Sequence, residues 1–218
     1  MKKPPMIAVV SFAVAASLAT FVFIKSTTSP SVASVYNDTA ENVTAYLSFG
    51  SDSVVLPTGT AWAFCTNTSN LNCSFPLAPH ASQELPLAGK YLNVTISFGG
   101  QGCGATKAEL NVNNPKWYDI TDVSLVDGYS NKIAIDIEDA TGRKELGPPK
   151  GPSDNEKVYG LFPLGCDICV ARQSPPCGMK PGTDGCKTGG QYDPSVPCQY
   201  RGPTKSGGSR IRVDYLGN

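Results

Sequence analysis

Between Glu109 and Asp139 the chain carries seven carboxylates, Glu109, Asp119, Asp122, Asp127, Asp136, Glu138 and Asp139, opposed only by Lys116 and Lys132. Carboxylates at this density can do three kinds of chemistry. They can hold a cation through oxygen ligands. Two of them can act as acid and base across a glycosidic bond. Ionised, they can line a polar groove that accepts hydrogen bonds from sugar hydroxyls. The plainer alternative is that they form the solvated faces of two strands. Aromatic side chains accompany the acids: Trp117, Tyr118 and Tyr129. Tyr129 follows a turn glycine and suits a groove wall. Trp117 and Tyr118, like Trp62, are expected in the core.

Other chemistries find little support. His80 is the single histidine, lies between Pro79 and Ala81, and has no nucleophile to serve. A multi-histidine metal site and a His-based triad are therefore not expected, and no metal is assigned. Gly99-Gly100 and Gly189-Gly190 lack the strand-to-helix setting of a phosphate loop, so no cofactor is expected. With 18 basic and 18 acidic residues, the chain lacks the charge footprint of a nucleic-acid binder.

Eight cysteines, Cys65, Cys73, Cys103, Cys166, Cys169, Cys177, Cys186 and Cys198, all follow an apolar run from Met6 to Ile24. Lys2 and Lys3 precede that run and Lys25 closes it, which is how an export signal reads. Residues 1–33 are thus a signal cleaved near Ala33, or an uncleaved membrane anchor over residues 6–24. Cleavage would remove three lysines and no acid, leaving a net charge of −3. Export makes disulfides the expected state of the cysteines. Cys65 and Cys73 flank a short polar loop and should pair locally. The remaining six leave their connectivity open. Cys166-x-x-Cys169 has no second pair or nearby histidine to make it a zinc or redox site. Asn37, Asn42, Asn67, Asn72 and Asn93 each open an N-glycosylation pattern. Polar sequence of this kind also produces such matches by chance.

The elements that must position these groups read as short strands. In Tyr91–Phe98, Leu92, Val94, Ile96 and Phe98 share one face and Asn93, Thr95 and Ser97 the other, the period of a half-buried strand. Similar runs are Ser34–Tyr36, Val43–Phe49, Ser53–Leu56, Thr60–Phe64, Ala105–Val112, Ile120–Val126, Lys132–Ile137, Val158–Phe162 and Ile211–Tyr215. Asn37–Asn42 reads as a turn joining the first two. Frequent Gly, Pro, Asn and Asp punctuate them, which predicts a sandwich or jelly roll. Composition shifts near residue 143. The sandwich is assigned to 34–142 with 209–218, and 143–208 to a Cys-, Pro- and Gly-rich loop subdomain. In a strand through Ile120–Val126, Asp122 shares a face with Ser124 and Val126. Asp127 has the opposite parity and reaches the same cleft only from a turn at Asp127-Gly128-Tyr129.

Gly102-Cys103-Gly104-Ala105-Thr106, Ala108-Glu109-Leu110 and Trp117-Tyr118-Asp119-Ile120-Thr121-Asp122-Val123-Ser124-Leu125-Val126-Asp127-Gly128-Tyr129-Ser130 resemble the thaumatin-like protein family. That family has an Ala-Glu-Phe segment followed by an aromatic-Asp-(Ile/Val)-Ser-Leu-Val-Asp-Gly-(Phe/Tyr)-Asn segment. The resemblance implies an all-β, jelly-roll-like β-sandwich with a disulfide-rich loop subdomain. It also implies an acidic cleft, bound by β-1,3-glucan, holding Glu109, Asp122 and Asp127. The cleft arginine does not carry over, because the first arginine is Arg143; Lys90 is the available cation. Half of the family's cysteines are missing.

Three functions follow. The first is an exported, monomeric module binding β-glucan or related wall carbohydrate through Glu109, Asp122, Asp127 and Tyr129, in a defence setting. The second is a weak endo-β-1,3-glucanase with Glu109 as acid and Asp122 as nucleophile or base. The third is a structural surface protein that keeps the fold without the groove. An open cleft at Glu109 and Asp122 would count against the third. No nucleic-acid partner is expected, and a membrane only through the N-terminal segment.

Overall fold

A computed structural model describes residues 29–69, 71–101, 105–124, 130–147 and 199–218. These residues form twelve strands and one 3-10 turn. The strands are β1 (Val32–Asn37), β2 (Val43–Phe49), β3 (Asn67–Ser69), β4 (Asn72–Leu77), β5 (Ser82–Leu85) and β6 (Leu92–Phe98). They continue with β7 (Lys107–Val112), β8 (Tyr118–Ser124), β9 (Ile133–Asp139), β10 (Gly142–Leu146), β11 (Gln199–Lys205) and β12 (Arg210–Tyr215). Two sheets result, one ordered β10-β9-β12-β1-β5 and the other β11-β8-β7-β6-β2-β4-β3. The all-β, two-sheet architecture is the one expected.

Alternation decides which side chains meet between the sheets. β2 buries Val43, Ala45, Leu47 and Phe49 and turns Thr44, Tyr46 and Ser48 outward. β6 and β7 bury Leu92, Val94, Ile96, Leu110 and Val112 in the same rhythm. Across the interior, Ile133, Ile135, Ile137, Ile211, Val213 and Val35 complete the core. Each such aliphatic side chain stabilises the fold by about 1.5–3 kcal/mol relative to exposure.

Several expected elements take other forms. Asn37–Asn42 does not close a hairpin: β1 belongs to the five-stranded sheet and β2 to the seven-stranded one, so the chain crosses between layers there. Ser53–Leu56 forms no strand, and Thr60–Trp62 is a 3-10 turn. That turn buries Trp62 against Phe49 and Phe64, at 5.4 Å between ring centroids in both pairs. Trp62 is core, as expected. Phe64 in turn meets Phe75 at 4.9 Å. The Cys65–Cys73 disulfide forms beside this cluster, with Cα atoms 5.5 Å apart. The other six cysteines and Val158–Phe162 lie outside the described residues.

β3, β4, β5, β10 and β11 escaped the sequence reading, for physical reasons. β4 contains Pro76, tolerated because β3 pairs only with its first three residues and leaves Pro76 on an open edge. β11 contains Gly202-Pro203, absorbed by a register shift between Arg201 and Lys205 on an edge strand. β10 and β11 both fall inside the stretch assigned to the loop subdomain. The two sheets therefore take in both ends of 143–208, and residues 148–198 lie outside the described part.

Buried polar groups tie the layers together. Asp119 is fully buried and accepts from the Asn113 backbone N–H at 2.8 Å and from the Ser31 hydroxyl. Asn113, in the left-handed region at φ 57°, exchanges two further bonds with the Ser31 backbone, at 2.7 and 3.0 Å. Asparagine tolerates that conformation better than most residues. Tyr200 of β11 donates to Asp139 of β9 at 2.8 Å, a bond between the two sheets. Burial pushes the Asp139 carboxyl up, but donors from Thr141 and Tyr200 outweigh it and hold the group at about 2.

Candidate functional site

The solvent-facing side of the seven-stranded sheet is built in rows. Antiparallel register places Glu109 of β7 directly opposite Asp122 of β8. Asp122 in turn faces Gln199 of β11, and Glu109 faces Thr95 of β6. Beyond Thr95 the same row continues through Ser48 of β2, Asn72 of β4 and Ser69 of β3. Every position of the row is polar, from one edge of the sheet to the other. The strand period accounts for this, since each residue is two steps from another outward position on its own strand.

Directly opposed residues on one face bring Cβ atoms to about 4.5–5.5 Å, and like charges there repel. Asp122 is also the deepest member of the row, with a relative exposure of 6%. Its Oδ1 has no hydrogen-bond partner, and Gln199 approaches Oδ2 at only 3.4 Å. Burial first, and the Glu109 charge second, push the Asp122 carboxyl up from 3.8 to about 7. A carboxyl close to half-protonated at neutral pH can donate as well as accept. Buried, repelled and with one oxygen unpartnered, it has the physical profile of a functional group. The pair opens into a depression of about 210 Å³ lined by Asn93, Glu109, Leu110, Asn111, Ile120, Asp122 and Gln199.

Glu109 and Asp122 are thus brought together as the sequence predicts. Asp127 and Tyr129 lie outside the described residues. Trp117 departs from expectation: it is 48% exposed and not in the core. Tyr118 is half-buried, and the two rings meet edge to face at 5.7 Å. Arg201 of β11 lies 4.0 Å from the Tyr118 ring and 5.5 Å from that of Trp117. Arg201 pairs in register with Ile120, one outward step along β8 from Asp122. Its guanidinium is held over these rings and does not line the acidic depression, and the sequence reading missed the strand that carries it. Lys90 sits in the exposed turn before β6 and does not line the acidic depression. His80 is in an exposed turn, as expected.

The other described acids of this segment do not join the pair. Asp119 is the structural clamp described above. Asp136 and Glu138 face outward on the other sheet, where Arg143 binds Asp136 at 2.8 and 2.6 Å and Arg212 approaches it at 3.4 Å. These groups line a depression of about 640 Å³ with Glu84 and Arg210. It is larger than the acidic one, but its charges are of both signs and partly neutralise one another. Among the described residues no three His, Cys, Asp or Glu side chains converge to hold a metal ion. None of their helices is long and apolar enough to cross a membrane.

No family model and no curated protein matches the sequence. Among solved structures, the chain is similar to the thaumatin-like xylanase inhibitor TLXI, at 12% identity and a TM-score of 0.40. The similarity covers 84% of this chain and 98% of that one.

Proposed function

We propose that the protein is an exported carbohydrate-binding module of thaumatin-like type, holding β-1,3-glucan or a related wall polysaccharide against Glu109 and Asp122. The observation that carries this reading is the direct cross-strand pairing of these two carboxylates on the outward face of the sheet. Around them, Gln199, Asn93 and Asn111 supply donors and acceptors suited to sugar hydroxyls. The depression at the pair is open, which counts against a protein that keeps the fold alone. The Cys65–Cys73 disulfide fits an oxidising compartment.

The test is depletion of the protein by insoluble β-1,3-glucan, beside a Glu109→Gln/Asp122→Asn double variant. Depletion of the wild type, reduced at least about tenfold in the variant, is the expected result; a tenfold loss is about 1.4 kcal/mol. Equal depletion of both proteins would reject the acid pair as the binding site.

Hydrolysis is the second reading, favoured by the proton that Asp122 retains near neutrality. A glycosidase acid needs such a raised value. In that reading Asp122 is the acid and Glu109 the nucleophile or base, the reverse of the roles expected from sequence. Reducing sugar released by the wild type and lost in both single variants, Glu109→Gln and Asp122→Asn, would select it.

A further inference from the structure

We propose that the acid pair is one end of a longer ligand track, which crosses the seven-stranded sheet at right angles to its strands and takes a linear, neutral polysaccharide several sugar units at a time. The proposal rests on the carbohydrate reading of Glu109 and Asp122. Its own support lies on the far half of the sheet, which that reading does not use.

Two further depressions continue from the acidic one toward β3. The nearer, of about 340 Å³, is lined by Ser48, Asn72, Thr95, Ser97, Gln101 and Lys107. Its Thr95 is the cross-strand neighbour of Glu109. The farther, of about 270 Å³, shares Asn72 and Gln101 with the nearer and adds Tyr46. Side chains along this half are already linked. Ser48 donates to Asn72 at 3.0 Å, Asn72 donates to Ser69 at 3.0 Å, and Gln101 donates to Ser48 at 3.3 Å. Such links fix the side chains before a ligand arrives, and amides and hydroxyls so linked still have lone pairs or protons to offer.

Charge and spacing identify the occupant. Ser69, Asn72, Ser48 and Thr95 carry no charge, and Lys107 is the one charged residue lining these two depressions, too little to select an anionic or cationic polymer. A chain rich in hydroxyls matches alternating donors and acceptors. Strands repeat at about 4.8 Å, close to the length of one pyranose unit, so Asn72 lies about 19 Å from Asp122 and the whole row spans about 29 Å. That is room for about six units. Half-buried Tyr46 offers a ring edge for a sugar face in the last depression.

The experiment measures affinity for a ladder of β-1,3-linked glucose oligomers, from the disaccharide to the heptasaccharide, using the full chain expressed through a secretory pathway. Three variants accompany the wild type: Asn72→Ala, Ser48→Trp and Glu109→Gln/Asp122→Asn. Asn72 and Ser48 lie on the outward face, where substitution changes stability little, and thermal unfolding checks this. The expected result is wild-type affinity that rises at least tenfold between trisaccharide and hexasaccharide. Asn72→Ala and Ser48→Trp should flatten that rise and leave the short oligomers unaffected. Wild-type affinity that levels off at the trisaccharide would overturn the track, as would folded Asn72→Ala and Ser48→Trp proteins that follow the wild type at every length. Short oligomers that ignore the double acid substitution would overturn the reading of the pair instead. If long oligomers then still responded to Asn72 and Ser48, the far half would stand as the site by itself. No binding at any length would overturn both.

Discussion

Asp122 binds its proton more tightly in the folded chain than in the unfolded one, because burial and Glu109 both oppose its charge. The sign of the effect on stability follows. Between 3.8 and about 7 the native state holds more protons than the unfolded state, so stability falls as pH rises through that window. Three pH units at 1.36 kcal/mol each put the loss at no more than about 4 kcal/mol. The variant Asp122→Asn removes the titration. Its thermal midpoint should change little against wild type near pH 4 and stand above it near pH 8. A difference that does not vary with pH would refute this assignment of the charge. Asn37 supports a second prediction at this scale. Its side chain is fully buried, donating to the Glu41, Leu77 and Ala78 carbonyls and accepting from Thr39. A glycan attached there is incompatible with the fold. Mass spectrometry of protein secreted from a eukaryotic host should find Asn37 bare, although it opens a matching sequence pattern.

Strands explain what could be read in advance and what could not. Glu109 and Asp122 could be singled out as candidates because the segments around them resemble a family motif. That they share a face is a matter of register, which hydrophobic alternation fixes. Gln199 and Arg201 were not legible. β11 lies 77 residues from Asp122, and Gly202-Pro203 breaks the one alternating signal, Tyr200 between two polar neighbours. Trp117 was misjudged because an aromatic at a strand entrance has two stable fates. Here cations from an unforeseen strand, Arg201 and Lys205, cover its ring in place of the core. Two element-scale predictions follow. Asp119 joins the entry of β1 to the β7–β8 connection, so Asp119→Ala leaves buried donors on Asn113 and Ser31 unmatched. It should lower unfolding free energy by about 2–6 kcal/mol in urea titrations, at about 1–3 kcal/mol for each of the two orphaned groups. Replacing both Cys65 and Cys73 by serine should cost about 2–3 kcal/mol, as expected for so short a closed loop.

The molecule as a whole is organised by long-range pairing. β12 sits in the middle of the five-stranded sheet, parallel to β1 and antiparallel to β9. Where β1 and β12 begin, the Ser209 backbone donates to Ser31, across 178 residues of sequence. A chain ending at Ser209 loses the central strand of that layer, together with Ile211 and Val213 of the core. Limited proteolysis should digest it throughout, while the chain that includes β12 resists. A stable, protease-resistant truncation would show that the seven-stranded sheet folds without its partner layer.

That pairing sets a clock on synthesis. When the ribosome has made β1, β5, β9 and β10, the strand that must lie between β1 and β9 has not been translated, so β1 with β5 and β9 with β10 can form only as separate pairs. The five-stranded layer therefore closes only after β12 has emerged. A translocation channel that passes only unfolded chain requires such lateness of its cargo, and in the exported protein proposed above strand order contributes to it.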